Sequence, residues 1–202
     1  MDLFARQDEQ DDRLFYGTPR FVVHIDEATI ASLTRAYREL LTPGAAVLDL
    51  MGSWVSHLPP DLPLERVAGL GMNDEELAQN PRYDDHVVHD LNQEPELPYP
   101  DESFDFVLNA VSIQYLTRPV EVFRSLRRAL RPGGLSLVAM SHRCFPTKAI
   151  RAFHVLPPAQ RIERVSGYFQ QAGGFEEPVF LDRSPPGADP LWIVTARRAS
   201  ER

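Results

Sequence analysis

The chain has 202 residues, 43% of them hydrophobic and 25% charged, and carries a net charge of −8. That length and composition predict one globular domain with its own core, and the acidic balance excludes duplex nucleic acid as a partner, because phosphate binding needs a basic face. The one cysteine, Cys144, rules out an internal disulfide and fits a reducing compartment. No apolar run reaches membrane-spanning length and the acidic start MDLFARQDEQDD does not read as a signal peptide, so a cytoplasmic protein with no membrane association is expected.

Residues 1–13 are polar and acidic and read as a frayed arm, followed by the aromatic, basic stretch LFYGTPRFVVHIDEA. Asp26 is placed to N-cap a helix carrying Ile30, Leu33, Tyr37 and Leu40 at helical spacing, which Thr42-Pro43-Gly44 stops after Leu41. A short apolar run predicts a first strand over Ala46–Leu50, left through Gly52-Ser53; the Pro-broken segment HLPPDLPLE leads to a second, Arg66–Met72. Asn73 caps a helix over Asp74–Gln79, and a third strand covers His86–His89, ending at Asp90-Leu91-Asn92. After the irregular loop QEPELPYPDES come a strand at Phe104–Asn109 and a helix from Pro119 to Leu130, with Val120, Phe123, Leu126 and Leu130 on one face. Arg131-Pro132-Gly133-Gly134 breaks the chain ahead of a fifth strand, Leu135–Met140. A helix over Pro158–Ala172, ended by Gly173-Gly174, and strands at Pro178–Asp182 and Leu191–Ala196 complete the pattern. Strands alternating with helices predict an α/β fold with a mainly parallel sheet, whose ligand site lies at the carboxyl ends of its strands. Lys148 is the only lysine, which reads as codon bias with no functional weight.

Four features in order, VLDL, LPYPDESFDFVLN, LRRALRPGGLSLVAM and the final LWIVTARR after a helix ending in AGGF, resemble the class I S-adenosylmethionine-dependent methyltransferases over Asp26–Arg198. The resemblance implies a three-layer αβα Rossmann-like fold with a seven-stranded, mainly parallel sheet and an antiparallel last strand. It implies a single domain over residues 1–202, with an N-terminal arm or lid (1–25) and a core (26–198). It also implies S-adenosylmethionine as cofactor, S-adenosylhomocysteine as product and a small-molecule acceptor, as monomer or homodimer. Cofactor contacts are then expected from Arg20, Asp49, Gly52, Ser53, Gly71, Met72, Asp90, Leu91 and Asn109. Two positions depart from the family. Its glycine-rich run after the first strand reads Asp49-Leu50-Met51-Gly52-Ser53-Trp54-Val55 here, and Gly71 stands where an acid usually accepts the ribose hydroxyls, leaving Asn73 and Glu75 as the nearest substitutes. A related branch with DLM-x-SWVSHLP in this place marks the altered loop as a variant design.

Methyl transfer needs alignment of nucleophile and methyl group above all, with a base where the acceptor is protonated. Candidates for such roles are His57, just past the first loop, Tyr115, in the stretch after the fourth strand with Ser112 and Gln114, and Arg143, which with His142 follows the fifth strand. Tyr16, Arg20 and His24 lie in the segment that, by the resemblance, folds over the cofactor. Nothing lowers the pKa of Cys144, so it is not read as a nucleophile, and no residue spacing predicts a metal site. The alternative is a non-catalytic binding or regulatory protein that has lost methyl transfer, motivated by the missing glycines. A nicotinamide-dependent reductase is set aside for want of G-x-G-x-x-G.

Overall fold

The predicted apolar runs all become strands of one sheet in order β3-β2-β1-β4-β5-β7-β6. They are β1 (Ala46–Leu50), β2 (Arg66–Gly71), β3 (Asp85–Val88), β4 (Phe104–Ala110), β5 (Leu130–Met140), β6 (Val179–Asp182) and β7 (Trp192–Arg197). The structure, a computed structural model, describes residues 2–200; Met1, Glu201 and Arg202 lie outside the described residues. β7 alone is antiparallel, wedged between β5 and β6. Every residue of β1 is buried because both sheet faces are covered, which is why VLDL lacks a strand's usual alternation.

On one face, α4 (Pro119–Ala129) and α5 (Pro158–Ala172) pack over Leu48, Leu50 and Val107, with Phe123 edge-on to Phe169 at 4.6 Å between centroids. On the other face, α2 (Glu27–Leu40) lays Leu33, Ala36 and Tyr37 over Val47 and Leu108. Asp26 caps α2 as expected, accepting from Thr29 N at 2.9 Å. Between β1 and β2 there is no helix: the Pro-broken crossover presses Leu58 and Leu62 onto the α2 side, and Arg82 donates to the carbonyls of Pro60 and Leu62, which no helix satisfies.

Three expectations are corrected. The RPGG segment does not precede a strand but lies inside β5: Phe104 pairs with Leu130 and Phe106 with Leu135, so the segment bulges out between two ladder positions, with Gly133 at φ +75°. The buried stripe of α4 runs through Val122, Phe123, Leu126 and Ala129, while Val120 is only half-buried and Leu130 already belongs to the strand. The N-terminal arm is not frayed. Arg151 N and Ala152 N donate to the carbonyls of Ala5 and Leu3, and Lys148, wholly buried, sits 3.0 Å from Asp12 Oδ1 and 3.1 Å from Asp8 Oδ2. Arg6 completes the cluster with both carboxylate oxygens of Asp12 at 2.8 Å. The single lysine is therefore a structural anchor, recognisable only through contacts some 140 residues apart in sequence.

Candidate functional site

A cleft enclosing about 1150 Å³ of open space, its mouth included, runs over the carboxyl ends of β1 to β4, where the strand order reverses. Of the predicted site residues, Arg20, Asp49, Gly52, Ser53, His57, Gly71, Met72, Asp90, Leu91 and Tyr115 border it, while Glu75, Asn109, Gln114, His142 and Arg143 do not.

Its floor is set by close backbone approach. Met51 takes a left-handed conformation (φ 59°), and Gly52 N then donates to Leu70 O at 2.8 Å. A Cβ on Gly71 would lie 2.3 Å from the Gly52 carbonyl oxygen, and one on Gly52 would lie 2.1 Å from the Tyr83 hydroxyl. Glycine at 71, where the family carries an acid, is thus dictated by the neighbouring loop. Below the loop, the Tyr83 hydroxyl donates to Asp49 Oδ2 at 2.8 Å. Burial pushes the Asp49 carboxyl up to about 7, against the opposing effect of that hydrogen bond.

An acid that does border the cleft is Glu76 on α3 (Asp74–Ala78). Its two carboxylate oxygens accept from Ser53 Oγ and from Arg20 N, each at 2.6 Å, and it borders the cleft, whereas Glu75 does not. Of the two expected ribose substitutes, Asn73 borders the cleft and Glu75 does not. Asn73 caps α3, accepting from Glu76 N, and its amide donates to the carbonyls of Tyr16 and Gly17, so its polar atoms are committed. Sequence offered a signal for Glu76, the third helical residue after a good N-cap and thus aimed at the helix entrance.

At the end of β3, Asp90 Oδ1 accepts from Asn92 N at 2.9 Å, while Oδ2 is buried without a partner. The neighbouring Leu91 gives an apolar wall. Asn92, not singled out from the sequence, ties this loop to the arm by donating to Asp12 Oδ2 at 2.9 Å and to Tyr115 O at 3.0 Å. Burial alone would raise the Asp12 carboxyl, but hydrogen bonds from Asn92, Arg6 and Lys148 hold it below the usual carboxylate range. The arm closes the roof through α1 (Asp12–Tyr16), and Trp54 Nε1 donates to Val22 O at 3.0 Å. The Arg20 side chain donates to the carbonyls of Phe15 and Thr18 and stacks 4.4 Å over the Phe15 ring, so its guanidinium braces the arm.

Beyond β4, Val111 is held at φ 50°, a left-handed conformation that β-branched residues avoid, by donating to Ala139 O and accepting from Gln114 Nε2 at 2.7 Å. Ser112 follows, buried, with an unpartnered hydroxyl. His57, Met51 and Val111 all border the cleft in this strained conformation, the pattern expected where backbone is positioned for binding. Burial pushes the His57 imidazole down to about 4, with His24 adding to the effect; burial also lowers His24, against the pull of Glu76. Tyr115, raised to about 12 by burial, accepts from Phe145 N at 2.8 Å.

Two predicted residues are diverted. Asn109 does not point into the cleft: its amide donates sideways to Leu50 O at 3.1 Å, tying β4 to the end of β1. Arg143 turns outward, its Nε 3.1 Å from both oxygens of the buried Asp189, which also accepts from Asp26 N and so binds the loop after β5 to the start of α2. Among the described residues, no three or more His, Cys, Asp or Glu side chains gather in a metal-binding group, and no helix is long and apolar enough to cross a membrane.

A sheet of this order with its cleft at the switch point defines the class I S-adenosylmethionine-dependent methyltransferase architecture. The central segment, residues 51–138, matches the family described as methyltransferase domain. One curated relative is the 27-O-demethylrifamycin SV methyltransferase of Amycolatopsis mediterranei (strain S699), 45% identical over 51 residues; that match spans 25% of this chain and only 19% of the relative. Among solved structures, the [4+2]-cyclase SpnF superposes with a TM-score of 0.64 at 17% identity, over 92% of this chain and 90% of its own. An S-adenosylmethionine-dependent methyltransferase from Mesorhizobium loti gives 0.59 at 19% identity, over 83% of this chain and 98% of its own. At these identities the similarity is one of fold.

Proposed function

We propose that the protein is an S-adenosylmethionine-dependent methyltransferase acting on a small-molecule acceptor and releasing S-adenosylhomocysteine. The observation that carries this reading is the unpartnered Asp90 Oδ2, buried at the end of β3 on the wall of the cleft. A buried carboxylate oxygen without a donor is costly, and an adenine amino group supplies the missing hydrogen bond. The other residues fit the same ligand. Each Glu76 oxygen accepts one hydrogen bond from the protein and has a second acceptor site for a ribose hydroxyl. Gly52 and Gly71 let backbone approach the methionine part, while Met72 and Leu91 wall the base. When bound, the cofactor supplies an electrophilic methyl group; this chain contributes alignment and exclusion of water. The segment shared with an O-methyltransferase supports a small organic acceptor.

The test is incubation with methyl-labelled S-adenosylmethionine and a library of small hydroxyl-, amine- and thiol-bearing molecules, followed by mass spectrometry. Label in a product with one added methyl group, alongside S-adenosylhomocysteine, is expected. Cofactor binding without any transfer would instead favour the second reading, a methyltransferase fold working without methyl transfer. That reading draws its support from Met51, Ser53 and Val55 at the family's glycine positions and from the likeness in fold to a cyclase.

A further inference from the structure

The sheet ends on β6, which pairs with β7 along one side and, among the described residues, with no strand along the other. Arg183 N donates to Leu191 O at 2.9 Å, in register with the ladder that sets Leu181 against Ile193 and Val179 against Thr195. The odd-numbered residues of β6 therefore turn their backbone groups toward β7. The N–H and C=O of Phe180 and Asp182, with the C=O of Pro178, point off the edge of the sheet. The side chains along this edge are apolar: Val179 is 54% and Phe180 43% exposed. Leu181 packs with Ile193 on the α2 face, while Phe180 stands beside Val194 on the opposite face. Open backbone groups flanked by apolar side chains are a template for one more strand.

The sequence of the edge is complementary to itself. A strand that pairs with its own copy about a two-fold axis runs antiparallel to it, and only the outward-pointing residues can exchange hydrogen bonds. Within β6 this restricts the axis to positions 179–182. An axis at Asp182 sets that carboxylate against its own copy, one at Val179 brings it against Glu176, and one at Leu181 sets it against Phe180. With the axis at Phe180 every pair matches: Phe180 meets the partner's Phe180, Val179 meets the partner's Leu181, and Glu177 meets the partner's Arg183. Arg183 spends Nη2 on Glu39 at 2.6 Å, and Glu177 spends Oε1 on Gln170 at 3.2 Å, so each keeps atoms for the cross-strand pair. In this register the Phe180 N–H and C=O are exchanged, and Asp182 N–H donates to the C=O of the partner's Pro178. Pro178 lacks an N–H at an outward position, where its own sheet loses no bond and the new ladder ends.

We propose that β6 pairs antiparallel with β6 of a second copy of this chain, about a two-fold axis through Phe180, joining the two sheets into one. No residue of β6 or β7 borders the cleft, so the pairing leaves both clefts open, and the inference does not rest on the methyltransferase reading. The strand is short, which places the contact at the weak end of specific interfaces, with dissociation in the micromolar range.

The test is sedimentation equilibrium of the full-length protein from low micromolar to submillimolar concentration. The apparent mass is expected to climb from 22.9 kDa toward twice that value. Phe180→Lys sets like charges on the axis and should stay at the monomer mass with the circular dichroism spectrum of wild type. Glu177→Arg or Arg183→Glu alone should weaken the dimer by about tenfold, and the two together, which restore opposite charges with the signs exchanged, should return it to within about threefold of wild type. Cysteine cross-linking in a Cys144→Ser background reads the register. Phe180→Cys should join two chains under mild oxidation, because paired Cα atoms lie about 5.5 Å apart, whereas Asp182→Cys, about 14 Å from its own copy, should not. These cysteine variants decide the matter alone if Phe180→Lys does not fold. A monomer at every concentration, a dimer that survives Phe180→Lys, no rescue by the charge exchange, or cross-linking at 182 in place of 180 overturns the assignment.

Discussion

Replacing Asp49 by Asn changes one oxygen for an NH₂ group in the middle of β1, 2% exposed, and keeps an acceptor for the Tyr83 hydroxyl. In the folded protein burial raises the carboxyl from 3.8 to about 7. The folded state therefore binds a proton more tightly than the unfolded chain, and stability must fall as pH rises from about 4 through 7, levelling above it. At 1.36 kcal/mol per pKa unit, the full effect is about 4 kcal/mol, of which about 2.5 kcal/mol is lost between pH 5 and pH 8. The Asn variant has no such titration. Asp8, Asp11 and Asp12, whose carboxyls are held low, contribute the opposite trend in acid, but equally in both proteins, so they cancel in the difference. Thermal unfolding followed by circular dichroism at pH 5, 6.5 and 8 should show Asp49→Asn gaining on wild type by roughly 5–10 °C across that range. A difference that stays constant with pH, whatever its sign, would refute the claim that a buried, weakly compensated carboxyl lies under the loop.

Other outcomes follow from the same geometry. Asp90→Ala should weaken S-adenosylhomocysteine binding by about tenfold or more, the loss of a charge-assisted hydrogen bond, whereas Arg143→Ala should leave it unchanged; calorimetry on both variants decides. Lys148→Met removes the buried cation between Asp8 and Asp12, and a loss of about 3–5 kcal/mol in urea unfolding, with earlier tryptic cleavage at Arg6 and Arg13, is expected. Gly71→Ala drives a methyl group into the Gly52 carbonyl, so the loop must shift; ligand affinity should drop further than the melting temperature suggests.

The frame of this fold was legible because its strands are short apolar runs buried on both faces and its helix entrances are marked by Asp26 and Asn73. The edge of the sheet that carries the cleft was legible for the same reason, and with it the position of Gly52, Ser53, Asp90 and Tyr115 on its wall. Side-chain direction was not. Asn109 lies near the end of β4 and Arg143 just beyond β5, as expected, but Leu50 O and Asp189 draw them away through contacts 59 and 46 residues distant. RPGG reads as a breaker in local terms, yet pairing of Leu130 with Phe104 continues the strand around it. The arm failed the local test most clearly: its order comes from ion pairs to Lys148, and no periodicity in a polar segment announces such pairs.

The central claim is that this cleft seats S-adenosylmethionine despite its altered loop. Calorimetric titration of the purified protein with S-adenosylhomocysteine tests it most directly. The account predicts one site per chain with micromolar affinity, about −8 kcal/mol, reduced in Asp90→Ala. No heat from either S-adenosylhomocysteine or S-adenosylmethionine, in protein whose melting curve is intact, would contradict it.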